Sequence, residues 1–434
     1  MNIAEHAEAA VSVHKTEALL FFTLIQLTII VLAARVGTAI AQRYSQSAAV
    51  GEIIVGILLG PSLFGWLAPD VFAYVFHSSS PEPLQILSQI GLILLMFQIG
   101  LEFDFSHLAE RRNSKAVFWI ALASLVAPFA LGLFLGYVSA PILSPDANVI
   151  ASSLFIATAF SITALPILGR IMIDFDMTRT QIGVIAISAA AINDVVGWLL
   201  LTLVTTLTLS AFNGIDFALK IAAVGAFMLL CWFLVRPLML RIIRGCDVAT
   251  NGMSNNLLGV VLAAVFVAAM ATYQLGIFAI FGGFIMGVIL HSEHDFVEAW
   301  KSRIGPLVAV FFLPIFFTYT GLRTDIGGLD KWEAWGWCAL TIALATIGKF
   351  GGAYLSARVA GLNHNEANIM GIMMSTRALM ELIVINVGFD LGVISQQVFT
   401  MLVIMALVST IVTCPCLRIW LPRIGTPVKV LGTT

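Results

Sequence analysis

Apolar residues run through this chain in long uninterrupted stretches. They follow neither the alternation of a half-buried strand nor the three-to-four spacing of a surface helix. Cutting the stretches at polar, Pro and Gly clusters leaves thirteen runs, approximately 17–42, 48–66, 84–104, 116–140, 148–173, 180–210, 213–235, 255–273, 275–291, 304–322, 333–357, 365–389 and 394–420. Most approach the roughly twenty residues an α-helix needs to cross about 30 Å of hydrocarbon. Two of them, 48–66 and 275–291, are short and Gly-rich, and only a brief turn near Tyr273 to Gly276 separates the eighth from the ninth. The pattern predicts an all-α polytopic membrane protein of about 13 transmembrane helices.

Composition agrees. Of 434 residues 60% are hydrophobic and only 11% charged, against about 25% charged in soluble domains, and the mean hydropathy is +1.00. An ordinary soluble enzyme is excluded. A net charge of -2 without a basic soluble face gives no support for nucleic-acid binding. The five cysteines, Cys231, Cys246, Cys338, Cys414 and Cys416, read as small apolar residues, and Cys-Pro-Cys is not the redox Cys-x-x-Cys spacing. The opening MNIAEHAEAAVSVHKT lacks the basic and apolar regions of a removable signal peptide. Lys and Arg distribution predicts an external N-terminus and a cytoplasmic C-terminus, because fifteen of the 22 then fall in inside loops or the tail. The longest connections, near 66–84 and 102–116, are too short for a domain. Residues 1–434 are therefore expected to form a single membrane transport domain, with no soluble regulatory domain and no cofactor.

A charge at membrane depth costs at least about 2.5–3.5 kcal/mol on insertion scales, so each one points to function. The mid-span candidates are Asp194, Lys349, Arg377 and Glu381, whereas Arg35, Glu52, Glu102 and Asp390 lie nearer span ends, where snorkelling or interface location accounts for them. Asp194 stands alone in SAAAINDVVGWLLL, behind alanines that admit other backbones. A carboxylate both holds and releases a proton, and its oxygens are hard ligands for a cation. One site that takes either but not both exchanges them one for one. The competing role is a structural Asp neutralised by Lys349 or a backbone amide. Asn193 points about 100° away from Asp194, yet its amide is able to bond to a nearby broken helix.

Two spans carry signs of interruption. The fifth, ATAFSITALPILGR, combines Thr158, Ser161 and Thr163 with Pro166, and a mid-span Pro frees a carbonyl. In the twelfth, Ser375, Thr376 and Arg377 interrupt apolar sequence. Seven spans apart, the two run in opposite directions, as expected of inverted repeats whose discontinuous helices cross at the midplane. Lys349 lies in GKFGG, whose Gly348 and Gly352 admit a close neighbour, and it either neutralises Asp194 or offsets the charge where half-helices end. Arg377 and Glu381, four apart, pair on one face, a spacing that favours local charge balance over a transport role. HSEHD at 291–295 reads as a solvated loop rather than a metal site. GILLG (Gly56, Gly60) and GFIMG (Gly283, Gly287) read as helix-packing faces within one chain or at a dimer seam.

Five blocks in order, GEIIVGILLGPSLFG (51–65), LMFQIGLEFD (95–104), AINDVVGW around Asn193-Asp194, FFLPIFFTYTGLRTDIG (311–327) and TRALMELIVINVGFDLGVIS (376–395), resemble the monovalent cation/proton antiporter family 2, in its Kef-type and plant cation/proton exchanger branches. The resemblance implies a sodium/proton antiporter fold in a homodimer, with interleaved dimerisation and core subdomains, the core including approximately 84–210 and 304–390. It further implies elevator-type alternating access in a bacterial plasma membrane. On this chain the family's ion-binding carboxylate falls on Asp194, the position before it on Asn193, its basic residue on Lys349, and its unwound stretches on Thr163 and on Ser375 to Arg377. Electrogenic members carry Asp where this chain has Asn193.

The expected function is exchange of K⁺ or Na⁺ for H⁺, electroneutral and 1:1. The alternative is a channel-like K⁺ efflux pore on the same fold. An intramembrane hydrolase lacks its chemistry, because every histidine lies in the tail, in loops or at span ends and Asp194 has no second mid-span Asp.

Overall fold

The computed structural model describes residues 3–44, 48–78, 80–102, 111–175, 180–209, 214–246, 252–275, 279–377 and 379–424, together with 46, 177 and 248. No strand occurs among them. The helices are α1 (Ile3–Arg43), α2 (Ala48–Leu58), α3 (Glu82–Glu102), α4 (Arg111–Leu143), α5 (Val149–Ser161), α6 (Leu165–Asp174) and α7 (Gln181–Leu209). They continue as α8 (Gly214–Leu230, running on through a π turn into Arg236–Gly245), α9 (Asn255–Gln274), α10 (Ala279–Leu290), α11 (His294–Arg303) and α12 (Gly305–Leu322), and then as α13 (Trp332–Val359), α14 (His364–Met374), α15 (Leu379–Asp390) and α16 (Gln396–Trp420).

Each apolar run of the sequence carries helix. Among the described residues nine helices are long and apolar enough to cross a membrane, and α2, α5 and α10 are shorter apolar helices. The run 48–66 is not one continuous span, as α2 stops at Leu58, shortly before Gly60 and Pro61. A proline pushes its predecessor out of the α region and ends the helix there. Large apolar side chains such as Leu32, Phe233 and Leu355 stand exposed on α1, α8 and α13. Such faces are at rest only against lipid.

The helices gather into two bundles. One holds α1, α2, α3, α9, α10 and α12; the other holds α4 to α7 and α13 to α16, with α8 lying against α10. Small residues make the seams. A Cβ placed on Gly56 would come within 2.6 Å of the Phe317 carbonyl oxygen, so α2 meets α12 backbone to backbone, and Gly283 brings α10 equally close to Ile93 of α3. Both glycine pairs thus serve packing within this chain. In the second bundle Gly352 and Gly348 let α13 approach Ala123 and Pro128 of α4 at 2.5 and 2.8 Å from a notional Cβ. Within the span 84–210 and 304–390 expected for the core, two helices pack with the first bundle. Glycine seams tie α3 and α12 to α10 and α2, in the first bundle.

Of the charges expected at span ends, Glu52 is resolved differently. Glu52 is 5% exposed and takes a 2.9 Å ion pair from Arg35 and a hydrogen bond from Thr38. It is a buried, paired carboxylate rather than a snorkelling one. Asp390 pairs with Arg323 at 2.5 Å. The Glu102 side chain lies outside the described residues.

Candidate functional site

Two half-helices enter the second bundle with strong caps and stop inside it. Asn148 caps α5 by accepting from the amides of Ile150 and Ala151, and Asn363 forms a capping box with Glu366 at the start of α14. The first break follows Ser161, with extended backbone at Ile162. Pro166 falls in the first turn of α6, where a missing N–H leaves nothing unsatisfied. The second break follows Met374.

The breaks cross. The Ala164 amide donates to the Thr376 carbonyl at 3.1 Å, and the Thr163 hydroxyl donates to the Met374 carbonyl at 3.3 Å. Ser161 and Ser375 turn their hydroxyls back onto their own helices, at Ala157 and Gly371. The Thr376 hydroxyl has no hydrogen-bond partner among the described residues.

Helix ends carry partial charge: the last carbonyls are negative and the first amides positive. At the end of α5 two cations meet this need. Arg377 donates to the carbonyls of Ala159 and Phe160 at 3.0 and 2.8 Å and to that of Ala345 at 3.2 Å, and Lys349 donates to the carbonyl of Ser161. Glu381, in the first turn of α15, accepts from Arg377 at 3.0 Å. Of the two roles open to Lys349 in the sequence, closing the half-helix is the one its hydrogen bond takes.

Asp194 is left over. It is 1% exposed, and neither carboxylate oxygen has a hydrogen-bond partner among the described residues. Beside it, Asn193 donates its amide to Ser124 at 2.9 Å and to Thr163 at 3.5 Å, while its Oδ1 is unpartnered. A buried carboxylate without a hydrogen-bond partner is costly even with the Lys349 charge acting on it, so the site calls for an occupant. A carboxyl can hold a proton there, and carboxylate oxygens are hard donors of the kind alkali ions take.

A cavity of about 450 Å³ opens between the bundles, lined by Gln89, Thr205, Tyr273, Tyr319, Asn386 and Asp390 among others. Thr205 lies eleven residues after Asp194, about three turns on along the same stripe of α7, and Trp198 lies between them, one turn from Asp194. The Trp198 ring is buried, its indole N–H is unpartnered, and it lies 6.4 Å from Phe281 of the other bundle. Ser124, Trp198, Asn386 and Arg323 escaped the sequence reading. For Trp198 a signal existed, since four residues after Asp194 is one helical turn. The remaining three are ordinary polar side chains that only the tertiary structure brings to the site or the cavity mouth.

A family model described as the transmembrane sodium/hydrogen exchanger matches residues 29–422. The chain belongs to this family. Its relatives include the Na(+)/H(+) antiporter NhaS4 of Synechocystis, 39% identical over 404 residues that cover 92% of this chain and 97% of that protein. Others are the Cation/H(+) antiporter 18 of Arabidopsis thaliana, 34% identical, and the K(+)/H(+) antiporter 1 of Saccharomyces cerevisiae, 30% identical. The chain spans 90% and 87% of its own length in these two matches but only 48% and 44% of theirs. Among solved structures, the sodium proton antiporter MjNhaP1 from Methanocaldococcus jannaschii superimposes with a TM-score of 0.65 at 15% identity, covering 95% of this chain and all of that one. The all-helical antiporter fold and the family resemblance read from the sequence therefore stand, and with them a multi-pass integral membrane protein whose relatives are transporters, not enzymes.

Proposed function

We propose that this chain exchanges K⁺ or Na⁺ for H⁺ one for one, with the two ions competing for Asp194. The observation that carries this reading is a fully buried carboxylate whose two oxygens have no hydrogen-bond partner among the described residues, near the crossing of two broken helices, where the end of α5 is already met by Lys349 and Arg377. Antiport itself is supported by the names of the relatives. Electroneutrality follows from Asn193, because a single titratable carboxylate at the site carries either one proton or one monovalent cation.

The two-bundle division supports alternating access by movement of one bundle. In this reading α3 and α12 belong to the static bundle, with α1, α2, α9 and α10. The bundle containing Asp194 carries the ion past it. The 450 Å³ cavity between them is then a vestibule on the Arg323 side, which is the outer side if the N-terminus is external. Pairing of two copies and residence in a bacterial plasma membrane rest on the family resemblance.

The test is cation-driven proton movement in proteoliposomes. Wild-type protein is expected to exchange and Asp194→Asn to be inactive; normal exchange by Asp194→Asn would sink the reading. Cation flux at an imposed potential without proton movement would instead identify a pore.

A further inference from the structure

Asn193 presents either its NH₂ or its carbonyl oxygen to the ion site, and only the oxygen is a cation ligand. Two hydroxyls decide which. The Ser124 hydroxyl of α4 donates to the Ala121 carbonyl at 3.2 Å, and the Thr163 hydroxyl donates to the Met374 carbonyl at 3.3 Å. A hydroxyl has one hydrogen, so once it is donated the oxygen remains an acceptor. Both oxygens lie within reach of Asn193 Nδ2, Ser124 at 2.9 Å and Thr163 at 3.5 Å. The shorter bond is to Ser124, a residue outside the broken helices and fully buried. The amide group is thereby occupied on its NH₂ side, and Oδ1 is the edge left without a partner.

We infer that Ser124 is a positioning residue for cation binding: by accepting from the Asn193 NH₂ it turns Oδ1 toward the ion that Asp194 holds. The inference rests on the proposed exchange at Asp194. Without Ser124 only the longer contact to Thr163 orients the amide, and an amide free to flip offers the cation a donor half the time. A proton bound directly to the carboxylate needs no amide ligand. Loss of the Ser124 hydroxyl therefore weakens cation binding selectively.

The experiment titrates Na⁺ and K⁺ against proton movement in proteoliposomes holding full-length wild-type, Ser124→Ala, Asn193→Ala, the double variant, Ser124→Thr and Asp194→Asn. One orienting hydrogen bond corresponds to about a tenfold change in apparent affinity. Ser124→Ala is expected to raise the apparent KM for its cation about tenfold with maximal rate held within about twofold. Asn193→Ala is expected to raise KM at least as much, and Ser124→Ala to add nothing in that background, because the two act through one bond. Ser124→Thr, which keeps the hydroxyl, is expected to stay nearer wild type than Ser124→Ala. An unchanged KM in Ser124→Ala, or additive effects in the double variant, overturns the positioning role. A Ser124→Ala protein that loses maximal rate while keeping KM overturns it as well, since that pattern belongs to damaged packing. Asp194→Asn separates this from the parent reading: if it exchanges normally the site itself is misassigned, whereas an inactive Asp194→Asn beside an unaffected Ser124→Ala removes the positioning role alone.

Discussion

Arg377 and Glu381 face each other one helical turn apart at 3.0 Å, both fully buried, and the same guanidinium holds two carbonyls at the end of a helix that begins more than two hundred residues earlier. Arg377→Ala strands a carboxylate and three carbonyls at once. It is expected to destabilise the detergent-solubilised protein by about 3–5 kcal/mol, the usual cost of breaking a buried pair. Glu381→Gln keeps an acceptor for Arg377 and is expected to cost less, about 1–3 kcal/mol. Thermal unfolding followed by intrinsic fluorescence ranks the two, and equal losses would argue against the carbonyl contacts.

Competition at Asp194 makes the effect of pH directional. A protonated carboxyl is closed to the cation, so apparent affinity scales with the deprotonated fraction. Once most of the protein is protonated, each unit of acidification is expected to raise the cation KM about tenfold. Maximal rate at saturating cation should change far less. A KM indifferent to pH across the active range would mean separate sites.

Trp198 lies along α7 between Asp194 and Thr205, which lines the vestibule, and its ring is 6.4 Å from Phe281 of the opposite bundle. Trp198→Ala is expected to open a path between cavity and site, seen as cation leak uncoupled from protons. Trp198→Phe, which retains an aromatic wall and removes only the unpartnered N–H, should stay tight. Radiotracer efflux from vesicles without a proton gradient distinguishes them.

At the cavity mouth Arg323 bonds Asn386 at 3.1 Å and Asp390 at 2.5 Å, joining the end of α12 to α15 of the other bundle. Both charges are partly exposed, so Arg323→Gln should change stability by no more than about 1 kcal/mol. Its expected effect is on turnover, by about twofold or more, with the cation KM preserved. Arg323→Asp combined with Asp390→Arg tests the pairing: the exchanged charges should recover turnover that each single reversal loses.

Gly352 lets α13 meet α4 with a notional Cβ only 2.5 Å from the Ala123 carbonyl oxygen. Gly352→Val must push the helices apart, at about 1–3 kcal/mol for overpacking. Because Lys349 lies one turn away on α13, the same push draws its ammonium from the Ser161 carbonyl. Lower melting temperature together with reduced turnover is the expected outcome, and Gly351→Ala, beside open space, is the neutral control.

Much of this was legible in the residues because membranes simplify the physics. Apolar runs must be helical, so every run carried helix, and a mid-membrane charge is rare enough that Asp194, Lys349, Arg377 and Glu381 stood out. Hydroxyls beside Pro166 and around Arg377 marked both breaks. The choice of partners was not legible. Whether Lys349 meets Asp194 or the end of α5 depends on a carbonyl 188 positions away, and helical spacing carries no information at that range. The membership of α3 and α12 in one bundle or the other was hidden for a similar reason, since a glycine seam announces close packing without naming its partner. Glu52 was read as interfacial because Arg35 lies on a different helix, and Ser124 gave no signal at all.

The bond between the Ala164 amide and the Thr376 carbonyl ties the two interruptions into one joint. Neither break can be mended alone: restoring helix at one withdraws the partner of the other. Substitutions on the two sides should therefore show sign epistasis, each harmful singly and tolerated only together. In evolution, segments more than two hundred residues apart would be constrained to drift as a unit.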